Sequence, residues 1–216
     1  MRQRPGYDLL DLMILAFDTS SAACTAALFD GRHCIARADE AIGRGHAERL
    51  VPMIGELLAG RTADQIIVGV GPGSFTGIRV AIAAAHGLAI GWGAELRGMS
   101  SLALLAASAG GAAVAVAVLG GHGELFVQEF EHGEPIAPLR NLAPDEAAAA
   151  TKASLVVGSG ASALVAARGW GEAREGWPSA ADALLLPEDL RSLPPRPLYA
   201  RAPDARPPDS KTKAAA

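Results

Sequence analysis

Ile66-Ile67-Val68-Gly69-Val70-Gly71-Pro72-Gly73-Ser74-Phe75-Thr76-Gly77-Ile78-Arg79-Val80 runs from strand through turn into helix without a break. The β-branched run 66–70 is short and apolar, as a buried strand requires. Gly71, Pro72, Gly73 and Gly77, with Ser74 and Thr76 between them, are turn and helix-capping chemistry. From Ile78 to Ile90 the chain is Ala-rich and apolar and predicts a helix. A strand, a glycine-rich turn and a helix N-terminus together can bind an anion, because unpaired backbone N–H groups point into the turn. The pattern is neither a Walker loop, since no Lys follows the last Gly, nor a dinucleotide fingerprint, since G-x-G-x-x-G is absent. Two readings stand: a phosphate cradle, or a tight turn whose glycines let strand and helix pack closely.

Outward from that passage the order of elements is regular. Met13–Asp18 reads as a strand ending in Asp18-Thr-Ser-Ser21, and Cys24–Phe29 as a second. Asp30-Gly31 is a two-residue hairpin signal leading into His33–Ala38, so three antiparallel strands form a meander. After a polar loop from Asp39 to Gly45, residues 46–59 show helical periodicity, with Gly60 as a C-cap. Pro52 inside that pattern predicts a kink or a late start. Glu95–Gly98 is a short strand, and Ser100-Ser101 caps a helix over Leu102–Ala107. The first half therefore reads βββαβαβα, the unit of the actin-like (sugar kinase, Hsp70, actin) ATPase fold.

A second, reduced α/β half is expected from Gly110-Gly111 onward. Ala113–Leu119 is a buried strand that pairs with Glu124–Phe130 and with the 134–139 region across a Gly120–Gly123 turn. A helix from Pro144, a strand at Leu155–Val157 and a helix over Ser162–Ala167 follow. The expected organisation is an extension (1–12), a first subdomain (13–109), a degenerate second one (110–201) and a flexible tail (202–216).

Bulk composition excludes several function classes. With 50% hydrophobic and 19% charged residues among 216, the chain can bury a core. Its net charge of -4 gives no basic field to capture nucleic acid, and 5% aromatics is too few for a base-stacking strand binder. Cys24 and Cys34 are expected as free thiols. The first twelve residues lack an apolar leader, and no run reaches membrane-span length without glycine or charge, so a soluble, cytoplasmic protein with no membrane partner is expected.

Three segments in this order carry a family resemblance: Ile14-Leu-Ala-Phe-Asp-Thr-Ser20 with Cys24 behind it, Gly71-Pro-Gly-Ser-Phe-Thr-Gly-Ile-Arg79, and Gly98-Met-Ser-Ser-Leu102. His46-Ala-Glu-Arg-Leu50 is similar to the family's His-Ser-Glu-x-Leu helix start, and Pro197-Leu-Tyr-Ala-Arg201 to its Pro-x-Tyr-x-Arg ending. From Met13 to about Arg201 the chain resembles the TsaB (YeaZ) family, the partner subunit in bacterial threonylcarbamoyladenosine (t6A) tRNA modification. The resemblance implies an actin-like ATPase fold with a degenerate second subdomain, in a protein that does not perform the chemistry itself. It implies a TsaD-type partner that transfers the threonylcarbamoyl group, a TsaE-type ATPase, tRNA met only through the complex, and homodimers when the partner is absent. One departure stands out: the family's Asp-Ala-Arg-x-x-Glu-x-Tyr stretch is here Leu119-Gly-Gly-His-Gly-Glu-Leu-Phe126, which keeps Glu124 and an aromatic but neither the Asp nor the Arg.

No catalytic residue is expected. His46 is followed four residues on by Leu50, and His33, His86, His122 and His132 share no i,i+4 spacing, so no metal site is expected. Ser74 and Ser100 lack a nucleophile elbow, against a glycoprotease-like peptidase. Asp18, Thr19, Ser74, Thr76 and Gly77 are the candidate nucleotide or phosphate contacts, with turn capping as the other reading of Asp18. The turn after Asp18 lacks the glycines of a phosphate hairpin, against an independent ATP-binding enzyme of the sugar-kinase type. No tightly bound cofactor is expected, and ATP or ADP shared within a complex stays open. The candidate partner interface lies on two helices, 46–59 and 77–92, through His46, Leu50, Val51, Ile54, Leu57, Leu58, Ile78, Ala81, Ile82 and Ala85. The alternative is a pair of helices covered wholly within the monomer.

Overall fold

A computed structural model describes residues 12–110 and 113–199. Strands β1 (Met13–Asp18), β2 (Ala23–Asp30) and β3 (His33–Ala41) form the antiparallel meander. Asp30 pairs with His33, so the hairpin turn is Gly31-Arg32, one residue later than expected. Helix α1 (His46–Leu58) returns the chain to β4 (Gln65–Gly69), and α2 (Phe75–Trp92) crosses to β5 (Glu95–Met99). The first sheet has the order β3-β2-β1-β4-β5, with β4 parallel to both β1 and β5. Helix α3 (Ser101–Ser108) completes βββαβαβα. Pro52 does not break α1; it is exposed, so its missing N–H falls on the solvent side of the helix.

A second sheet follows the same plan in shortened form. Its strands are β6 (Val114–Leu119), β7 (Leu125–Glu131), β8 (Glu134–Pro135), β9 (Arg140–Leu142), β10 (Leu155–Val157) and β11 (Glu172–Arg174). They run in the order β11-β10-β6-β7-β8, with β9 also paired to β7. Helices α4 (Pro144–Ala150) and α5 (Ala161–Arg168) cover one face. A 3-10 helix (Ala180–Leu185) and the single turn α6 (Glu188–Arg191) lead back to the first sheet.

The period-two alternation of each strand sorts its side chains into layers. Leu15, Phe17 and Val68 face α1 and α2, whereas Ile14, Ala16, Ala27 and Phe29 face a central core. That core also takes in α3, the Ala180–Leu185 helix and Val114, Val116, Phe126 and Phe130 of the second sheet. Ala115, Ala117, Leu125 and Val127 point the other way, onto α4 and α5. The result is helices, sheet, helix, sheet, helices: the actin-like ATPase plan with a reduced second half. Residues 1–11 and 200–216, read as extension and tail, lie outside the described residues.

The last segment was not legible as structure. Leu193 exchanges backbone hydrogen bonds with Gly98 at the edge of β5 (2.7 and 2.9 Å), and the Leu198 N–H reaches the Val70 carbonyl at 2.8 Å. The Pro- and Arg-rich stretch is therefore a strap across the first sheet, tied by backbone atoms that carry no sequence signature.

Candidate functional site

The glycine-rich turn meets the β1–β2 turn, and the two fill one another. Asp18 is fully buried. Its Oδ1 accepts the Ser20 N–H (2.6 Å) and the Ser20 hydroxyl (2.7 Å), while its Oδ2 accepts the Ser101 hydroxyl (2.5 Å). Ser101 Oγ in turn accepts the Gly71 N–H at 3.1 Å. Thr19 Oγ1 donates to the Gly77 carbonyl (2.7 Å), and the Ser74 N–H to the Ser20 carbonyl (2.6 Å). Three glycines make this approach possible. A Cβ at Gly69 would lie 1.8 Å from Asp18 Oδ2, one at Gly73 2.1 Å from the Ser20 carbonyl oxygen, and one at Gly77 1.9 Å from that of Thr19.

Of the two sequence readings of the turn, close packing is therefore the one realised at 18–20. Asp18 has both carboxylate oxygens engaged by protein donors, so its geometry is that of a buried structural acid. Thr19 and Gly77 are likewise buried and hydrogen-bonded to each other. Ser74 and Thr76 are exposed instead, and Ser74 Oγ caps α2 by accepting the Gly77 N–H at 3.2 Å. The five candidate contacts thus separate into an internal lock (Asp18, Thr19, Gly77) and two outward hydroxyls.

Those hydroxyls line a cavity of 660 Å³ between the two halves of the chain. The first half contributes Ser20, Ser21, Ser74 and Thr76, the Gly43–Gly45 loop with Arg44, and the start of α1 with His46 and Glu48. The second contributes Val118, Leu119, Ser159 and Trp177. One wall is basic and hydroxyl-rich, with two helix N-termini behind it; the other is apolar and aromatic. Helix α1 begins at Gly45 with no side-chain cap, which leaves its first N–H groups uncapped by a side chain. His46 Nε2 is shut off from solvent without a hydrogen-bond partner among the described residues. Out of reach of solvent, this nitrogen does not face the cavity, and an unpaired buried polar atom costs about 1–3 kcal/mol. Arg44 and Trp177 were not singled out in the sequence; only the fold brings residues 44, 118 and 177 together.

The candidate interface helices need a correction. Leu50, Ile54 and Leu58 of α1, with Ile78, Ala81, Ile82 and Ala85 of α2, are buried against the first sheet. The apolar stripe in the sequence marks the face each helix turns to its own core, and a helical period cannot distinguish that face from one offered to a partner. Met53, absent from the expected stripe, is also fully buried. His46 and Leu57 are half-buried, and Val51 is 55% exposed. On α2 only Gly77, Ile78, Ala81, Ile82 and Ala85 are buried. Its outward side presents Ala83, Gly87, Gly91 and Ile90, the last 82% exposed, with the exposed His86 among them. Helix α2 has the length and composition to cross a membrane, with mean hydropathy 1.3, yet it connects two strands paired side by side in one sheet.

At the N-terminus of α2 the glycine motif meets the strap. Arg79 stacks on the Phe75 ring, its Cζ 3.4 Å from the centroid, and Nη2 donates to the Tyr199 hydroxyl at 2.9 Å. The two family-like motifs that hold Arg79 and Tyr199 are thus in contact across 120 residues. In the departing stretch, Glu124 accepts a hydrogen bond from Asn141 at 2.5 Å, and Phe126 is buried in the central core.

Residues 39–169 match the family model described as TsaD, tRNA N6-adenosine threonylcarbamoyltransferase. The chain is 35% identical over 132 residues to the tRNA threonylcarbamoyladenosine biosynthesis protein TsaB of Escherichia coli K12, covering 57% of each chain. It is 39% identical over 105 residues to the protein of the same name from Haemophilus influenzae, covering 46% of this chain and 44% of that one. The chain thus spans about half the length of the curated relatives it matches. Among solved structures, YeaZ from Pseudomonas aeruginosa superposes with a TM-score of 0.73 at 29% identity, over 87% of this chain and 99% of that one. A second P. aeruginosa structure, described as an uncharacterized protein with similarity to peptidase YEAZ, gives a TM-score of 0.72 at 31% identity, over 88% and 99%.

Proposed function

Because this chain belongs to the TsaB (YeaZ) family, we propose that it serves t6A modification of tRNA as a non-catalytic subunit, paired with a TsaD-type threonylcarbamoyltransferase through the outer faces of α1 and α2. The observation that carries this reading is α2 itself: five of its residues are buried, and its outward side is mostly apolar, broken by Arg79 and His86. A monomer gains nothing by exposing Ile90, Ala83, Gly87 and Gly91 together, whereas small residues allow another helix to approach closely. Each large apolar side chain covered there contributes roughly 1.5–3 kcal/mol. The engagement of both Asp18 oxygens by protein donors supports a scaffolding role over an independent ATPase. In this reading a TsaE-type ATPase joins the pair in the cytoplasm, tRNA is reached through the complex, and without its partner the face closes on a second copy.

The test is association measured by light scattering on mixing with a TsaD homologue. Ile90→Glu and Val51→Glu should abolish the complex while leaving the melting temperature of the isolated chain unchanged. Undiminished binding by both variants would remove the interface from these faces.

A further inference from the structure

The N-terminal end of α2 carries a side-chain cluster that contributes to no core. Phe75 joins none of the hydrophobic clusters and is 56% exposed, and Tyr199, at the end of the strap, is 53% exposed. Their ring centroids lie 6.0 Å apart. Arg79 is held between them, its Cζ 3.4 Å from the Phe75 centroid and 5.9 Å from that of Tyr199. Its Nε and Nη2 both donate to the Tyr199 hydroxyl, at 3.3 and 2.9 Å. The Leu198 N–H bond to the Val70 carbonyl fixes the strap one residue earlier, so backbone atoms deliver that hydroxyl. Arg49 and Arg97 are tied to carboxylates, whereas Arg79 has no such partner among the described residues. The guanidinium is oriented in advance and electrostatically unanswered.

We infer, on the basis of the pairing proposed above, that Arg79 is a specificity-determining contact of that interface and binds a carboxylate on the TsaD-type subunit. Phe75, Arg79, Ala83 and Ile90 are all exposed and stand at i, i+4, i+8 and i+15, on one side of the helix. The cluster therefore continues the bare apolar face. Aromatic side chains and arginine are the usual anchors of protein interfaces. A guanidinium covered without a counter-charge loses its water and gains nothing, so the surface that closes over this end must bring a carboxylate. With Nε committed to Tyr199, the Nη1–Nη2 edge remains to take one in two parallel hydrogen bonds. Charge also separates the possible occupants. Helix α2 has no acidic residue from Phe75 to Trp92, so a second copy laid along it offers Arg79 no counter-charge from that helix.

Calorimetric titration of the full-length chain with a TsaD homologue, and equilibrium sedimentation of the chain alone, test this. Arg79→Ala should weaken the hetero-complex roughly tenfold or more, the factor expected when a charge-assisted contact is lost. Melting temperature and any self-association should stay unchanged, since Arg79 is exposed. Arg79→Lys, which keeps the charge and loses the fork, should recover only part of the affinity. Tyr199 is a positioning residue, so Tyr199→Phe should weaken the parent complex yet cause no further loss in Arg79→Ala. Hetero-association unchanged by Arg79→Ala would overturn the inference. So would a loss confined to self-association, which would make a second copy the occupant. Effects of Tyr199→Phe and Arg79→Ala that multiply independently would refute the positioning role. Ile90→Glu and Val51→Glu separate this contact from the wider interface: if both leave binding intact while Arg79→Ala reduces it, the Arg79 contact stands and the broader face does not. A parent chain that bound no TsaD homologue would overturn both.

Discussion

Gly77→Ala is the sharpest perturbation of the lock between β1 and α2. The new methyl would sit 1.9 Å from the Thr19 carbonyl oxygen, so the two segments must separate by more than an ångström. That movement breaks or stretches two buried hydrogen bonds, Thr19 Oγ1 to the Gly77 carbonyl and the Ser74 N–H to the Ser20 carbonyl. Each loss costs about 1–3 kcal/mol, and forcing volume into a packed site adds about 1–3 kcal/mol. Alanine's better helix propensity returns about 1 kcal/mol. The net destabilisation is roughly 2–8 kcal/mol, a fall in melting temperature on the order of 4–30 °C for a chain of this size. Gly87→Ala is the internal control: it lies in the same helix with nothing within 4 Å of its missing Cβ. It should stabilise by up to about 1 kcal/mol. Thermal and urea unfolding of the two variants would therefore move in opposite directions. If Gly77→Ala melted at or above the parent temperature, the steric reasoning for the whole glycine motif would fail.

Other outcomes follow from the same contacts. Asp18→Ala leaves the donors of Ser20 and Ser101 unpaired in the core and should destabilise by roughly 2–4 kcal/mol in urea unfolding; an unchanged midpoint would contradict the network. Leu50→Ala should cost about 2–5 kcal/mol of monomer stability as a buried cavity mutation, whereas Ile90→Glu should cost almost none; equal effects would mean the two faces are misassigned. Burial pushes the Cys24 thiol up to about 11, with Glu40 adding to the shift, while Cys34 is exposed. Native alkylation near neutral pH should therefore label Cys34 alone, and Cys24 only after unfolding. Because the folded pKa of Cys24 is raised, its neutral thiol favours the fold below the unfolded value of 9.0, and that contribution declines as pH rises toward about 11. Cys24→Ala should flatten this alkaline loss in denaturant titrations at successive pH values.

Much of the fold lay in local pattern. The alternation in Met13–Asp18 and Ala23–Asp30 and the period of residues 46–58 are set by near neighbours, so the order βββαβαβα was readable directly. Ser74 and Ser100 announced their helices because a cap bonds to an N–H only three residues away. The Ala180–Leu185 helix and the strap at 193–199 were not readable. They are held by distant groups: Thr25 Oγ1 accepts the Ala180 N–H at 2.8 Å, and Gly98 binds Leu193.

The glycine motif marks the division most clearly. From residues 66–80 alone came a strand, a turn and a helix start, and two things such a turn can do. Only the tertiary structure brought Thr19 against Gly77 and Ser20 against Ser74, more than fifty residues apart in each case. The same folding turned the apolar stripe of α1 inward and gathered Arg44, His46 and Trp177 around one cavity. Secondary structure follows from contacts within a few residues and leaves a periodic trace. Which groups a turn faces, and which side of a helix stays bare, depends on long-range packing that leaves none.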